Sequence, residues 1–113
     1  MHELSIAQNI IEIVAEYAEK MNAQRVTEVL IDVGAVSGVI PETLEFAWDL
    51  SVKNTIAEGA ILKINFIEPK AVCLDCKKEF KLDDIFTICT YCNSTNYDIV
   101  LGKELKVKSI KIE

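Results

Sequence analysis

The chain turns on two short stretches, Cys73-Leu74-Asp75-Cys76 and Cys89-Thr90-Tyr91-Cys92, which hold all four of its cysteines. Twelve residues separate the two C-x2-C pairs. Each pair can wrap two thiolates around one side of a tetrahedral ion, and the spacer is long enough for a hairpin that brings the pairs face to face. Softness and spacing both suit structural zinc, whose sites are normally closed to further ligands. Two disulfides would suit a small secreted protein, but the chain has no signal peptide and is not short enough to need staples. A thioredoxin-like redox pair should open a helix after a strand, which neither pair does. Iron would also fit four thiolates; compartment and availability favour zinc, and the residues alone leave iron open.

Outward from the cysteines, composition changes on both sides. Residues 71 to about 100 are rich in short polar turns, with Phe80, Leu82, Ile85, Phe86 and Ile88 as a small satellite core. That is too little for a free-standing fold, so a metal should contribute its folding energy. Glu68-Pro69-Lys70 is the natural exit into this segment, and Gly102 returns the chain to a strand.

That strand, Glu104 to Ile112, has apolar residues at odd positions 105 and 107 but even positions 110 and 112. A two-residue period cannot put all four on one side, so a bulge or twist is expected near Lys108-Ser109. Lys103, Lys106, Lys108 and Lys111 alternate with acids and apolar residues, and read as a solvated face or edge guard.

Before the cysteines, residues 4 to 21 carry a helical period. Leu4, Ala7, Ile11, Val14, Ala18 and Met21 form one stripe, widened by Ile10, Ile13 and Tyr17, with Gln8, Asn9, Glu12, Glu16, Glu19 and Lys20 opposite. Asn22 and Ala23 close this helix. Val26 to Val33 reads as a strand with Val29, Ile31 and Val33 on one face, and Val26, Leu30, Glu28 and Asp32 on the other. Pro41 suits the first turn of a second helix, with Glu42 and Glu45 near its positive end. Leu44, Ala47, Trp48 and Ser51 mark its stripe, Leu50 broadens it, and the aromatic pair Phe46 and Trp48 is expected in the core. Residues 60 to 67 form another strand, with Ala60, Leu62, Ile64 and Phe66 sharing one face. The expected fold is therefore α+β: a mixed three-stranded sheet carrying two helices, plus an inserted four-cysteine, zinc-ribbon-like unit. The expected division is an α/β domain over 1–69, completed by 102–113, and a zinc-binding insert over 70–101.

At 113 residues the chain can bury roughly 65% of its extended surface. No apolar run approaches the ~18 residues of a membrane span. The N-terminus carries an acid and no basic cluster, so it is not a signal or transit peptide and the expected compartment is the cytoplasm. Twelve basic and 18 acidic residues give a formal charge of -6. Four thiolates around one divalent ion would make it more negative still, which works against general nucleic-acid binding.

His2 is the single histidine. A lone histidine near a terminus is ordinarily a surface bystander, but this position offers more. The α-amine of Met1, a deprotonated backbone amide and the His2 imidazole can form fused chelate rings on one ion. The backbone nitrogen of Glu3 can complete an in-plane set of four nitrogens, which suits Ni(II) or Cu(II) rather than zinc. Glu3 could instead offer its carboxylate to a looser octahedral site. Because the first helix begins at once, these residues are tied down where most termini fray.

Met1-His2-Glu3-Leu4-Ser5-Ile6, then Val33-Gly34-Ala35-Val36-Ser37-Gly38-Val39, the two cysteine pairs and the closing Gly102-Lys103-Glu104-Leu105 together resemble the HypA family of nickel-incorporation proteins. The resemblance runs over essentially the whole length. It implies a nickel metallochaperone serving [NiFe]-hydrogenase and, in some organisms, urease. His2 takes the family's nickel-ligand position with Met1 and Glu3 beside it, and Cys73, Cys76, Cys89 and Cys92 take the structural zinc positions. It also implies a HypB-type GTPase, the hydrogenase large subunit and urease accessory proteins as partners. Thr90 departs from many relatives, which have proline there; its absence loosens that half of the site without removing a ligand. The sequence leaves monomer and homodimer open.

No nucleophile pattern, Gly-rich phosphate loop or paired carboxylate argues for an enzyme. The rival reading is a zinc-ribbon adaptor for protein or nucleic acid in which His2 is incidental.

Overall fold

The computed structural model describes residues 3–82 and 88–113. In order it contains α1 (Glu3–Lys20), β1 (Val26–Gly34), α2 (Pro41–Ser51), β2 (Ile61–Ile67), β3 (Lys70–Cys73), β4 (Glu79–Lys81), β5 (Tyr97–Leu101) and β6 (Leu105–Ile112). The strands form two three-stranded sheets, ordered β2-β1-β6 and β4-β3-β5. The first is mixed, since β1 runs parallel to β2 and antiparallel to β6. The two-helix α+β arrangement is as expected. No described helix is long and apolar enough to cross a membrane.

The buried face of α1 is Glu3, Ala7, Ile10, Ile11, Val14 and Ala18. Ala7, Ile10, Ile11, Val14 and Ala18 are buried as expected, whereas Leu4, Ile13, Tyr17 and Met21, at the ends and flank of the expected stripe, are exposed. Positions 3, 7, 11, 14 and 18 make an unbroken helical repeat, and its first member is a glutamate that an apolar count passes over. The helix ends at Asn22, whose φ of 56° is left-handed. There the Ala23 amide reaches the Ala18 carbonyl at 2.9 Å and the Asn22 amide the Glu19 carbonyl at 3.1 Å, a Schellman closure.

In α2, Trp48 is buried and its indole N–H donates to the Ala60 carbonyl at 3.3 Å. Phe46 is not in the core as expected; it is 67% exposed. Residues two apart on a helix point about 200° apart, so one buried face cannot take both aromatics. In β2, Leu62 and Ile64 pack on the core while Phe66 lies outside it.

Two bulges set the faces of the first sheet. Leu30 pairs with Ser109 and Ile31 with Val107, which leaves Lys108 as the extra residue in β6. This is the expected irregularity, and it brings Leu105, Val107, Ile110 and Ile112 opposite the core-facing Val33, Ile31, Val29 and Val26. The second bulge corrects the reading of β1. Val26 pairs with Ile112 and Glu28 with Lys111, so Thr27 is extra and Val26 turns into the core with Val29, Ile31 and Val33.

The second sheet has its own cluster: Ala71, Cys73, Phe80, Leu82 and Cys89, with Tyr97 and Ile99 against it. Phe80 and Tyr97 meet edge to face at 5.5 Å. Ile85 and Phe86, expected in this core, lie outside the described residues, and Ile88 is exposed rather than buried.

The two sheets join where Gly34, Pro69 and Gly102 meet. The Gly34 amide donates to the Glu104 carbonyl and the Val36 amide to the Gly102 carbonyl, each at 2.7 Å. A Cβ on Gly34 would lie 2.0 Å from the Gly102 carbonyl oxygen, so only backbone movement could admit one. Gly102 has a φ of 111° and itself packs closely on Pro69. Gly34→Ala should therefore cost about 3 kcal/mol, the upper range of overpacking, and lower Tm by on the order of 10 °C. Calorimetry of the two proteins checks this; an unchanged Tm would show that the junction yields freely.

Candidate metal centre

Cys73 ends β3 and Cys89 follows the segment after β4, so the sheet delivers one cysteine pair to each side of a common point. The four cysteines are free thiols, and their sulfurs all lie within 4.8 Å of one another. Cys73 Sγ and Cys92 Sγ are 3.5 Å apart, and Cys76 Sγ and Cys89 Sγ 3.6 Å. A tetrahedral zinc with Zn–S bonds of about 2.3 Å requires sulfurs about 3.8 Å apart. The cage has the right size.

Both loops use the same backbone pattern. The Cys73 amide bonds the Lys78 carbonyl and the Cys89 amide the Ser94 carbonyl, both at 2.9 Å. In return, the Lys77 amide bonds the Cys73 carbonyl and the Asn93 amide the Cys89 carbonyl, again at 2.9 Å. Lys77 and Asn93 hold matching left-handed φ values of 66° and 61°. The loop containing Thr90 therefore repeats the bonds of the first without a proline. Backbone amides also point at sulfur, Cys76 N–H at Cys73 Sγ and Tyr91 N–H at Cys89 Sγ, each at 3.4 Å. Such donors stabilise thiolate over thiol.

The close sulfurs pull the Cys73 and Cys92 thiols in opposite directions. The Cys76 amide pulls the Cys73 thiol down to about 6. At Cys92 the Ser94 amide favours the thiolate, but the neighbouring Cys73 sulfur and burial outweigh it and push the thiol up to about 12. Four thiolates together call for a divalent cation at their centre.

Two contacts that the sequence reading missed tie the loops together. Ser94 Oγ donates to Asp75 Oδ2, and Lys78 Nζ lies 4.8 Å from the centre of the Tyr91 ring. Neither has a sequence signature, since each pairs surface residues from opposite loops. Asn93 was legible in principle as a residue that tolerates left-handed backbone.

Met1 and His2 lie outside the described residues. Glu3 opens α1 and is 4% exposed, and its Oε1 has no hydrogen-bond partner among the described residues. It lines a cavity of about 270 Å³ with Leu4, Thr43 and Phe46. A buried carboxylate oxygen without a partner is costly, although the helix N-terminus offsets part of its charge.

A family model described as "Hydrogenase/urease nickel incorporation, metallochaperone, hypA" matches residues 1–112. The chain belongs to the HypA family. It is 45% identical over 113 residues to the hydrogenase maturation factor HypA of Chlorobium phaeobacteroides, covering 100% of both chains. It is 41% identical to that of Nostoc sp., covering 100% of this chain and 96% of the relative. The solution structure of the Ni metallochaperone HypA from Helicobacter pylori superposes with a TM-score of 0.72 at 26% identity, over 99% of this chain and 97% of that one. HypA proteins are hydrogenase-maturation metallochaperones and not enzymes, and this chain is one of them.

Proposed function

We propose that this chain carries Ni(II) at its N-terminus and passes it to the large subunit of a [NiFe]-hydrogenase, with a HypB-type GTPase as its working partner. Urease accessory proteins are the recipients where that enzyme is the client. The nickel ligands come from Met1, His2 and Glu3, and zinc sits among Cys73, Cys76, Cys89 and Cys92. Residues 1–69 with 102–113 form the nickel-binding unit, and 70–101 the zinc-binding insert.

The observation that carries the reading is the buried carboxylate oxygen of Glu3 at the first turn of α1, which has no partner among the described residues. A cation held beside it would satisfy that oxygen and would hold Met1 and His2 against the start of the helix. Zinc is the structural ion because a closed set of four sulfurs leaves no position for exchange. Nickel is cargo, and nitrogen-rich coordination suits it.

Nickel titration of zinc-loaded wild type and His2→Ala tests the reading. Both proteins should hold one zinc, and the variant should bind nickel more than about 100-fold more weakly, beyond the ~10–100-fold typical of losing an outer partner. Undiminished nickel affinity in His2→Ala would rule out the N-terminal site.

A further inference from the structure

We propose that the groove between α1 and the free edge of β6 receives an extended segment of a partner protein, added as a fourth strand, in which apolar and acidic residues alternate. Among the described residues, the sheet order β2-β1-β6 leaves β6 unpaired on its outer side. Above that edge α1 presents Ile13 at 48% exposure and Tyr17 at 62%, so the helix has apolar surface that the three strands do not cover. Two cavities of about 230 and 210 Å³ lie along the groove. Both are lined by Ile13 and Val107; Tyr17, Ile110 and Lys108 also border one, and Ile6, Leu105 and Lys106 the other. Side chains two apart on a strand are about 7 Å apart on the same face. An added strand would therefore place two such apolar side chains into neighbouring cavities.

The charge of the other face selects the occupant. Lys106 pairs with Asp32 on the sheet face away from the helices, and Lys111 pairs there with Glu28. Lys103, Lys106 and Lys108 form no ion pair among the described residues, and all three are exposed. An added strand would run beside Lys106 and Lys108, so its residues that alternate with the cavity-filling ones should be acidic. A second copy of β6 would instead set lysines against lysines, and the bulge at Lys108 further opposes self-pairing. The exposed acids of α1, Glu12, Glu16 and Glu19, lie on the helix side, where the added strand presents only apolar groups.

The probe is a fluorescein-labelled peptide, Ser-Glu-Ile-Glu-Leu-Glu-Ile-Ser, titrated into the zinc-loaded, nickel-free chain. Saturable binding is expected, with hydrogen-exchange protection appearing in 105–112 and not in the opposite edge strand 61–67. The same peptide with lysines for glutamates, or with proline for the central leucine, should bind at least about tenfold more weakly. Ile13→Glu and Tyr17→Glu alter exposed positions and should weaken the complex by about tenfold or more, while circular dichroism, zinc content and nickel titration stay unchanged. Absent binding, equal binding of the lysine peptide, or protection confined to 61–67 would overturn the proposal. So would a dimer in sedimentation that either glutamate variant dissociates, because the groove would then belong to a second copy.

Discussion

Cys73→Ser should lose stoichiometric zinc and melt residues 70–101, while the sheet of β1, β2 and β6 and its two helices remain folded. The segment's apolar cluster is Ala71, Cys73, Phe80, Leu82 and Cys89. Cys73 and Cys89, proposed zinc ligands, are two of the five buried members among the described residues, so loss of the metal would loosen the core together with the cage. Structural zinc in small domains supplies an apparent ~10–16 kcal/mol, against which this cluster has little to set. The first sheet is held differently: Trp48, Ile31, Leu44 and Val14 are fully buried with no cysteine among them. Two-dimensional NMR of the zinc-depleted variant should show β3–β5 amides collapsed to random-coil positions and β1, β2 and β6 amides retained. Acidification should act in the same direction, since protons compete with zinc for the thiolates. Full zinc content with native amides in 70–101 would refute a folding role for the metal. Collapse of both sheets would show that the junction at Gly34 and Gly102 transmits the loss.

The features legible in the sequence were those with a period or a fixed spacing. The cysteine pairs gave the sulfur cage because C-x2-C spacing constrains the loop almost completely, and the matching bonds around Lys77 and Asn93 are the outcome. The parity conflict in Leu105, Val107, Ile110 and Ile112 revealed a bulge because all four needed the same face. Thr27 gave no such warning, as Val26 alone could sit on either face of an isolated strand. The first turn of α1 was misread for a chemical reason. Glu3 occupies the first core-facing position, and a carboxylate is expected outside unless something pairs with it. Phe46 was misplaced because hydrophobicity says that a side chain can be buried, whereas the angle between it and Trp48 decides which one is. The residue that broke the α1 pattern is also one that we propose as a nickel ligand, and functional sites are where local rules are expected to fail.

A Gly-Ser extension before Met1 should weaken nickel binding as severely as loss of the histidine, and it separates two geometries that His2→Ala cannot. The extension turns the Met1 α-amine into an amide and moves the free terminus away. An amine-anchored chelate then loses one donor together with the fused ring that donor closed. His2 and Glu3 keep their side chains, and the Glu3 carboxylate stays at the start of α1 where its Oε1 lacks a partner among the described residues. A site built on those side chains alone would therefore change little. Binding in the unextended chain should also weaken as pH falls, because protons compete for the amine, the imidazole and the backbone nitrogens. Both proteins should be zinc-loaded and titrated with nickel while planar d–d absorption is followed. The expected result is tight binding with a square-planar spectrum for the native terminus, and loss of both in the extended protein. Equal affinities with unchanged spectra would exclude the amine-anchored geometry even if His2 proved essential, and would assign the buried Glu3 carboxylate to an octahedral site.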